Sequence, residues 1–192
     1  MAKKKKSTKK KDIVKEKKAK AKTFKAVLAG ERVFSNAKEA KDLYGRSHFG
    51  EHIEGKVYYS LVEALYLLEA KKIDVYDGKK KMGHEAFVEK ARKLESNFWT
   101  RYCVFRDIRN RGYIVKTALK FGADFRVYAR GKKPGQEHAK WILYPVYESS
   151  SLTWHEFAAK NRVAHSTKKN LLIGIVDDEG DVTYYEIAWT RP

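Results

Sequence analysis

Short alternating runs of apolar and polar residues, separated by stretches of helical period, predict a mixed α/β chain. From Thr23 to Leu28 the pattern reads as a strand, turned by Ala29-Gly30-Glu31 and returned by Arg32-Val33-Phe34. Residues 35–56 are polar and carry several glycines, which reads as loop. Val57-Tyr58-Tyr59 then leads into a helix opened by Ser60 and Glu63 as a capping box. Leu61, Leu65 and Leu68, widened by Val62 and Tyr66, form its apolar face, and Lys71 and Lys72 suit the negative end of its dipole. Ile73 to Tyr76 alternates as a strand turned at Asp77-Gly78, and a helix is expected from Glu85 to Phe98 with Phe87, Ala91 and Leu94 on one side.

The second half opens with a helix expected from Trp99 to Arg111 and stopped by Gly112. Tyr102, Phe105 and Ile108 face a core, while Arg101, Arg106, Arg109 and Arg111 are expected on a solvated face. Strands follow at Tyr113–Val115 and Phe125–Tyr128. In the latter, Phe125 and Val127 share one face, Arg126 and Tyr128 the other. Trp141 to Tyr147 is a third strand, with Pro145 indicating an edge or a bulge. Thr153 and Glu156 form a second capping box, starting a helix whose Trp154, Phe157 and Ala158 share a face. Leu171 to Val176 is apolar without alternation, as in a strand buried on both faces, and an acidic turn at 177–181 joins it to a final strand at 182–189. The expected organisation is a lysine-rich disordered tail at 1–22, a small mixed α/β domain at 23–98, and a second α/β domain at 99–192 built on a central mixed sheet.

Composition adds a partner class. Lys and Arg number 42 against 24 Asp and Glu, a net charge of +18 that attracts polyanions. The tail holds twelve lysines and two acids, so the rest of the chain is only moderately basic. A single cysteine, Cys103, excludes an internal disulfide and a cysteine zinc cluster. It sits in an apolar run and reads as a buried small hydrophobe. No run reaches the roughly 18 apolar residues of a membrane span, and no apolar stretch follows the lysines to make a signal peptide, so a cytoplasmic protein without membrane contact is expected.

A basic chain of this kind could cut nucleic acid in two ways. A metal-dependent DNA nuclease wants clustered carboxylates, and Asp107, Asp124 and Glu137 are a diffuse set. Cleavage without a metal needs a proton removed from the 2′-hydroxyl, a proton given to the 5′-leaving oxygen, and charge neutralised on the phosphorane. Histidine titrates near neutrality, lysine is a compact cation, and a phenol serves as base only beside cations that stabilise its phenolate. Tyr128, His138 and the pair Lys168-Lys169 come from separate segments that could supply these groups. The bland alternative is a noncatalytic RNA-binding module, basic and rich in aromatics.

The segments GYIVKTALKFGADFRVYARG (112–131), PGQEHAKWILYP (134–145), NRVAHSTKKNLLIGIVDDEGD (161–181) and VTYYEIAWTRP (182–192) closely resemble the archaeal tRNA-splicing endonuclease family, as do FGEHIEG (49–55) and YSLVEALYLLE (59–69). The resemblance covers about residues 23–192 and implies that the α/β domain at 99–192 is nuclease-like. It implies Tyr128 as general base, His138 as general acid and Lys169 as the stabilising cation, with Lys168 as the alternative if the register shifts by one. It implies no cofactor and no metal, cleavage of precursor tRNA at bulge–helix–bulge sites, and products ending in a 2′,3′-cyclic phosphate and a 5′-hydroxyl. Arg162 is implied as an RNA contact that stacks on a bulged base; Lys168, and Lys41 in the polar loop, are further candidate RNA contacts. His165 is implied to be structural. The acidic turn and the final strand are implied to join subunits into a tetramer, either of this chain alone or with a structural paralogue.

Overall fold

The computed structural model describes residues 23–118 and 122–190, so the expected tail at 1–22 lies outside the described residues. Two sheets share one helix. The first is six-stranded, in the order β3-β4-β2-β1-β5-β6, from β1 (Phe24–Ala29), β2 (Arg32–Ser35), β3 (Glu51–Ile53), β4 (Lys56–Ser60), β5 (Ile73–Asp77) and β6 (Lys80–Lys81). Helices α1 (Lys38–Ser47), α2 (Leu61–Glu69) and α3 (His84–Leu94) accompany it. The second is five-stranded, in the order β11-β10-β9-β8-β7, from β7 (Ile114–Ala118), β8 (Ala123–Tyr128), β9 (Trp141–Tyr147), β10 (Asn170–Val176) and β11 (Val182–Ile187). Both sheets are mixed, with β1 parallel to β5 and β9 parallel to β10. The expected small α/β unit followed by a central mixed sheet is what the chain forms.

Helix α4 (Phe98–Asn110) is the shared element. Its Phe98, Tyr102, Val104, Phe105 and Ile108 are buried in one core that also takes in Leu61 and Leu65 of α2 and Phe125, Val127 and Leu143 of the second sheet. Helix α5 (Trp154–Ser166) covers the other face of that sheet, over a smaller core of Ile142, Tyr144, Ala164, Leu171 and Ile173. Strand β10 is therefore buried on both faces, as its unbroken apolar run predicts. Gly174 is required there: a Cβ would stand 3.2 Å from a methyl of Val104 and 3.1 Å from the ring of Tyr184. Both capping boxes form, Ser60 with Glu63 and Thr153 with Glu156.

Three expectations are corrected. The polar stretch 35–56 holds α1 and β3 as well as loop; α1 has no side-chain N-cap and buries only Ala40 and Leu43, so its apolar stripe is too thin to stand out from its charged residues. The helix expected through Phe98 ends at Leu94, because Glu95 is extended and its carboxylate is held by Arg101. The arginines of α4 are not a uniform solvated face. Arg101 is 13% exposed and bridges Glu95 and Asp124, and Arg109 lies over the Phe49 ring at 3.8 Å while donating to the carbonyl of Ser47.

Candidate active site

Strand β8 delivers Tyr128 at its C-terminal end, between β7 and β9, with its side chain 4% exposed. The chain then turns through Gly131 and Gly135, both at positive φ, where a side chain would be strained. Ala139 is buried, and the amide of Lys140 donates to the carbonyl of Val127 at 2.9 Å, so the returning chain is stapled beside the end of β8. His138 follows in this returning segment, exposed and three residues before β9 begins.

The third group comes from the end of α5. The helix closes on Thr167, whose hydroxyl donates to the carbonyl of Val163, and Lys168 follows in the left-handed region at φ 54°. That reversal returns the amide of Lys169 to the carbonyl of Ala164 at 2.9 Å and points the chain into β10. The Lys169 ammonium donates to the carbonyl of Thr167 at 2.6 Å. Tyr128, His138 and Lys169 line one open cavity of about 360 Å³, together with Arg126, Gly135, Gln136, Glu137 and Ala139. Lys168 does not line it. It lines a neighbouring concavity with Asn161, His165, Asn170, Trp189 and Lys169 itself, which borders both, and there the rings of His165 and Trp189 lie 4.6 Å apart.

The electrostatics of the cavity are cationic. Burial, and then the charge of Arg126, hold the Lys169 ammonium below the ordinary lysine value. Arg126 is the residue that sequence reasoning passed over, although its alternation with Tyr128 was the signal. It stands opposite Lys116 across the β7–β8 ladder, and its buried Nε has no hydrogen-bond partner among the described residues. Among the described residues, Glu137 is the one carboxylate lining the cavity, and it is taken by Lys132 at 2.6 Å.

The other candidates sit apart from this cavity. Arg162 is exposed on α5, and Lys41 is exposed on α1 rather than in a loop; neither lines the cavity. Asp124 is paired with Arg101 and Asp107 with Arg111, so the diffuse acids are each engaged by a cation. On the β10–β11 turn, the carboxylates of Asp177, Glu179 and Asp181 approach within 4.8 Å of one another, and Asp177 accepts from the amides of Glu179 and Asp181.

A basic α/β protein whose second sheet gathers a phenol, an imidazole and an ammonium around one open cavity has the equipment of a nuclease that works on RNA. Residues 98–184 match the family model described as tRNA intron endonuclease, catalytic C-terminal domain, and residues 24–88 match tRNA intron endonuclease, N-terminal domain. The chain belongs to the tRNA intron endonuclease family. It is 44% identical over 165 residues to a tRNA-splicing endonuclease of Thermococcus gammatolerans, covering 85% of this chain and 96% of that one. It is 45% identical over 138 residues to the tRNA-splicing endonuclease of Nanoarchaeum equitans, covering 69% and 88%, and 40% identical over 153 residues to that of Methanothermobacter thermautotrophicus, covering 80% and 89%.

Proposed function

We propose that this chain is a catalytic tRNA-splicing endonuclease subunit that cuts precursor tRNA at bulge–helix–bulge sites by transesterification without a metal. The observation that carries the reading is the meeting of Tyr128, His138 and Lys169, from three separate segments, in one cavity. Tyr128 takes the proton of the 2′-hydroxyl, whose oxygen attacks the adjacent phosphorus. The bond from phosphorus to the 5′-oxygen breaks, and His138 protonates that oxygen. Lys169 neutralises the charge that grows on the nonbridging oxygens. The products are a 2′,3′-cyclic phosphate and a 5′-hydroxyl. Lys169 takes this role in preference to Lys168 because Lys169 lines the cavity with Tyr128 and His138 and Lys168 does not. Arg162, Lys168 and Lys41 serve as outlying RNA contacts. The metal-free reading is supported by the cavity's single carboxylate and its engagement with Lys132.

The working assembly in this reading is a tetramer, of this chain or with a structural paralogue. Strand β11 is an edge of its sheet, and Tyr185 and Trp189 at that edge are 55% and 54% exposed. Light scattering on the protein expressed alone separates the two assemblies, since a homotetramer has four times the 22.3 kDa chain mass.

The decisive experiment is single-turnover cleavage, in EDTA, of a precursor tRNA whose intron ends lie in a bulge–helix–bulge, with analysis of the product ends. Tyr128→Phe and His138→Ala are each expected to slow the cut by about 10²- to 10⁴-fold with little change in RNA affinity. A 2′-deoxy substitution at the scissile nucleotide should abolish it. Cleavage that requires added divalent metal, or variants that cut as fast as the parent, would overturn the reading.

A further inference from the structure

The first sheet has one face with no described helix on it. Alternation in β1, β2, β4 and β5 sends Ala26, Leu28, Val33, Val57, Tyr59 and Val75 into the core shared with α2, and Ala40 and Leu43 of α1 join that same core. The intervening residues must point the other way. Strand register then sets Tyr58 beside Phe34, Phe34 beside Val27, and Val27 beside Tyr76, a single row across the four central strands. Each is half-buried by its neighbours, and the rings of Phe34 and Tyr58 lie 5.8 Å apart.

Cations border this row. The Lys25 ammonium lies over the Tyr76 ring at 4.5 Å, and that of Lys56 over the Phe34 ring at 5.3 Å. Arg32 and Lys81 flank it from the same face, paired with Glu51 and Asp74. Flat π faces set among cations suit a ligand that is itself a chain of flat rings and anions. A duplex hides its base faces, and an acidic peptide would engage the lysines but leave the rings with nothing to stack on.

We propose that this open face is a stacking platform for single-stranded RNA, supplied by the precursor beside its splice helix. The row spans roughly 14 Å at about 4.8 Å per strand, room for two or three splayed bases, while Lys25 and Lys56 swing from ring to phosphate. The proposal deepens the RNA-cutting reading by naming where unpaired substrate is held, yet binding to this face needs no cleavage.

The test uses the full chain and a fluorescently labelled single-stranded RNA of about ten nucleotides without a splice site, followed by anisotropy. The variant Phe34→Leu/Tyr58→Leu/Tyr76→Leu keeps apolar bulk on the sheet and removes the π faces; circular dichroism checks its fold. Its affinity should fall at least ten-fold in about 0.3 M salt, where the lysine contribution is screened. Ultraviolet crosslinks in the parent protein should map to peptides carrying Tyr58 and Tyr76. A second variant, Lys25→Glu/Lys56→Glu, should also bind more weakly and with a shallower salt dependence. Both should cleave a minimal bulge–helix–bulge duplex without single-stranded extensions at the parent rate. Equal affinity of the parent and the leucine variant, or crosslinks confined elsewhere, would sink the platform and leave the face to a protein partner. Failure of the parent to cleave, with oligonucleotide binding intact, would instead count against the cleavage reading.

Discussion

Arg126 and Lys169 show how one side chain sets another's chemistry. Burial and the Arg126 charge both favour the neutral amine, so Lys169 loses its proton at a lower pH than an exposed lysine does. Removing the arginine removes one of those pressures. In Arg126→Gln the alkaline limb of the single-turnover rate should move to higher pH, while the maximal rate falls about ten-fold through loss of a guanidinium from the cavity; pH–rate profiles of parent and variant check both. Lys168 poses a different question, because a non-glycine residue at φ 54° is strained and its side chain lies outside the main cavity. Lys168→Gly should raise stability by about 0.5–1 kcal/mol and leave the cleavage step intact, whereas Lys168→Val should lower stability; denaturant unfolding and single-turnover rates measure the two effects separately. The alternation in Phe125-Arg126-Val127-Tyr128 already put Arg126 on the tyrosine's face. What sequence could not say was that the guanidinium's Nε would be left without a partner there.

At the scale of elements, legibility followed how much apolar surface each one buries. Helix α2 buries six of its nine residues and begins at a complete capping box, so both its face and its start were readable. Helix α1 buries two of ten and has no side-chain cap, and it passed for loop. The break between α3 and α4 was read too late, at 98/99 rather than after Leu94, because its place depends on a tertiary partner, the Arg101 side chain that holds Glu95 and Asp124 together. Glycine at 174 marks an approach of α4 to β10 that no local pattern encodes. Gly174→Ala should cost about 1–3 kcal/mol, because the added methyl meets Val104 and Tyr184, and denaturant melts should show a lower midpoint with an unchanged slope.

Across the whole molecule, the two sheets are clamped by cations of the second layer reaching into a loop of the first. Lys116, 8% exposed, donates to the carbonyls of His48 and Gly50, and Arg109 donates to that of Ser47. On the first layer's side, Glu63 accepts from the amide of Gly50 at 2.8 Å, beneath a glycine whose Cβ would stand 2.6 Å from the carbonyl oxygen of Tyr58. Lys116→Met would leave two carbonyls without their donor. A loss of about 2–3 kcal/mol is expected, measured by denaturant unfolding, together with slower cleavage, because Lys116 also stands across from Arg126.

The sequence alone was enough to determine the two α/β layers, the strand that carries Tyr128 and the strand that follows Lys169, the capping boxes, and the family's motifs. These are local: side-chain alternation, helical period and capping chemistry act over a few residues. The tertiary structure alone decided that Lys169 lines the cavity while Lys168 does not, that Lys116 and Arg109 hold the layers together, and that three aromatic residues from separate strands form one row. Each of those depends on where distant segments of the chain meet, and that is settled by packing and by the desolvation of buried charge.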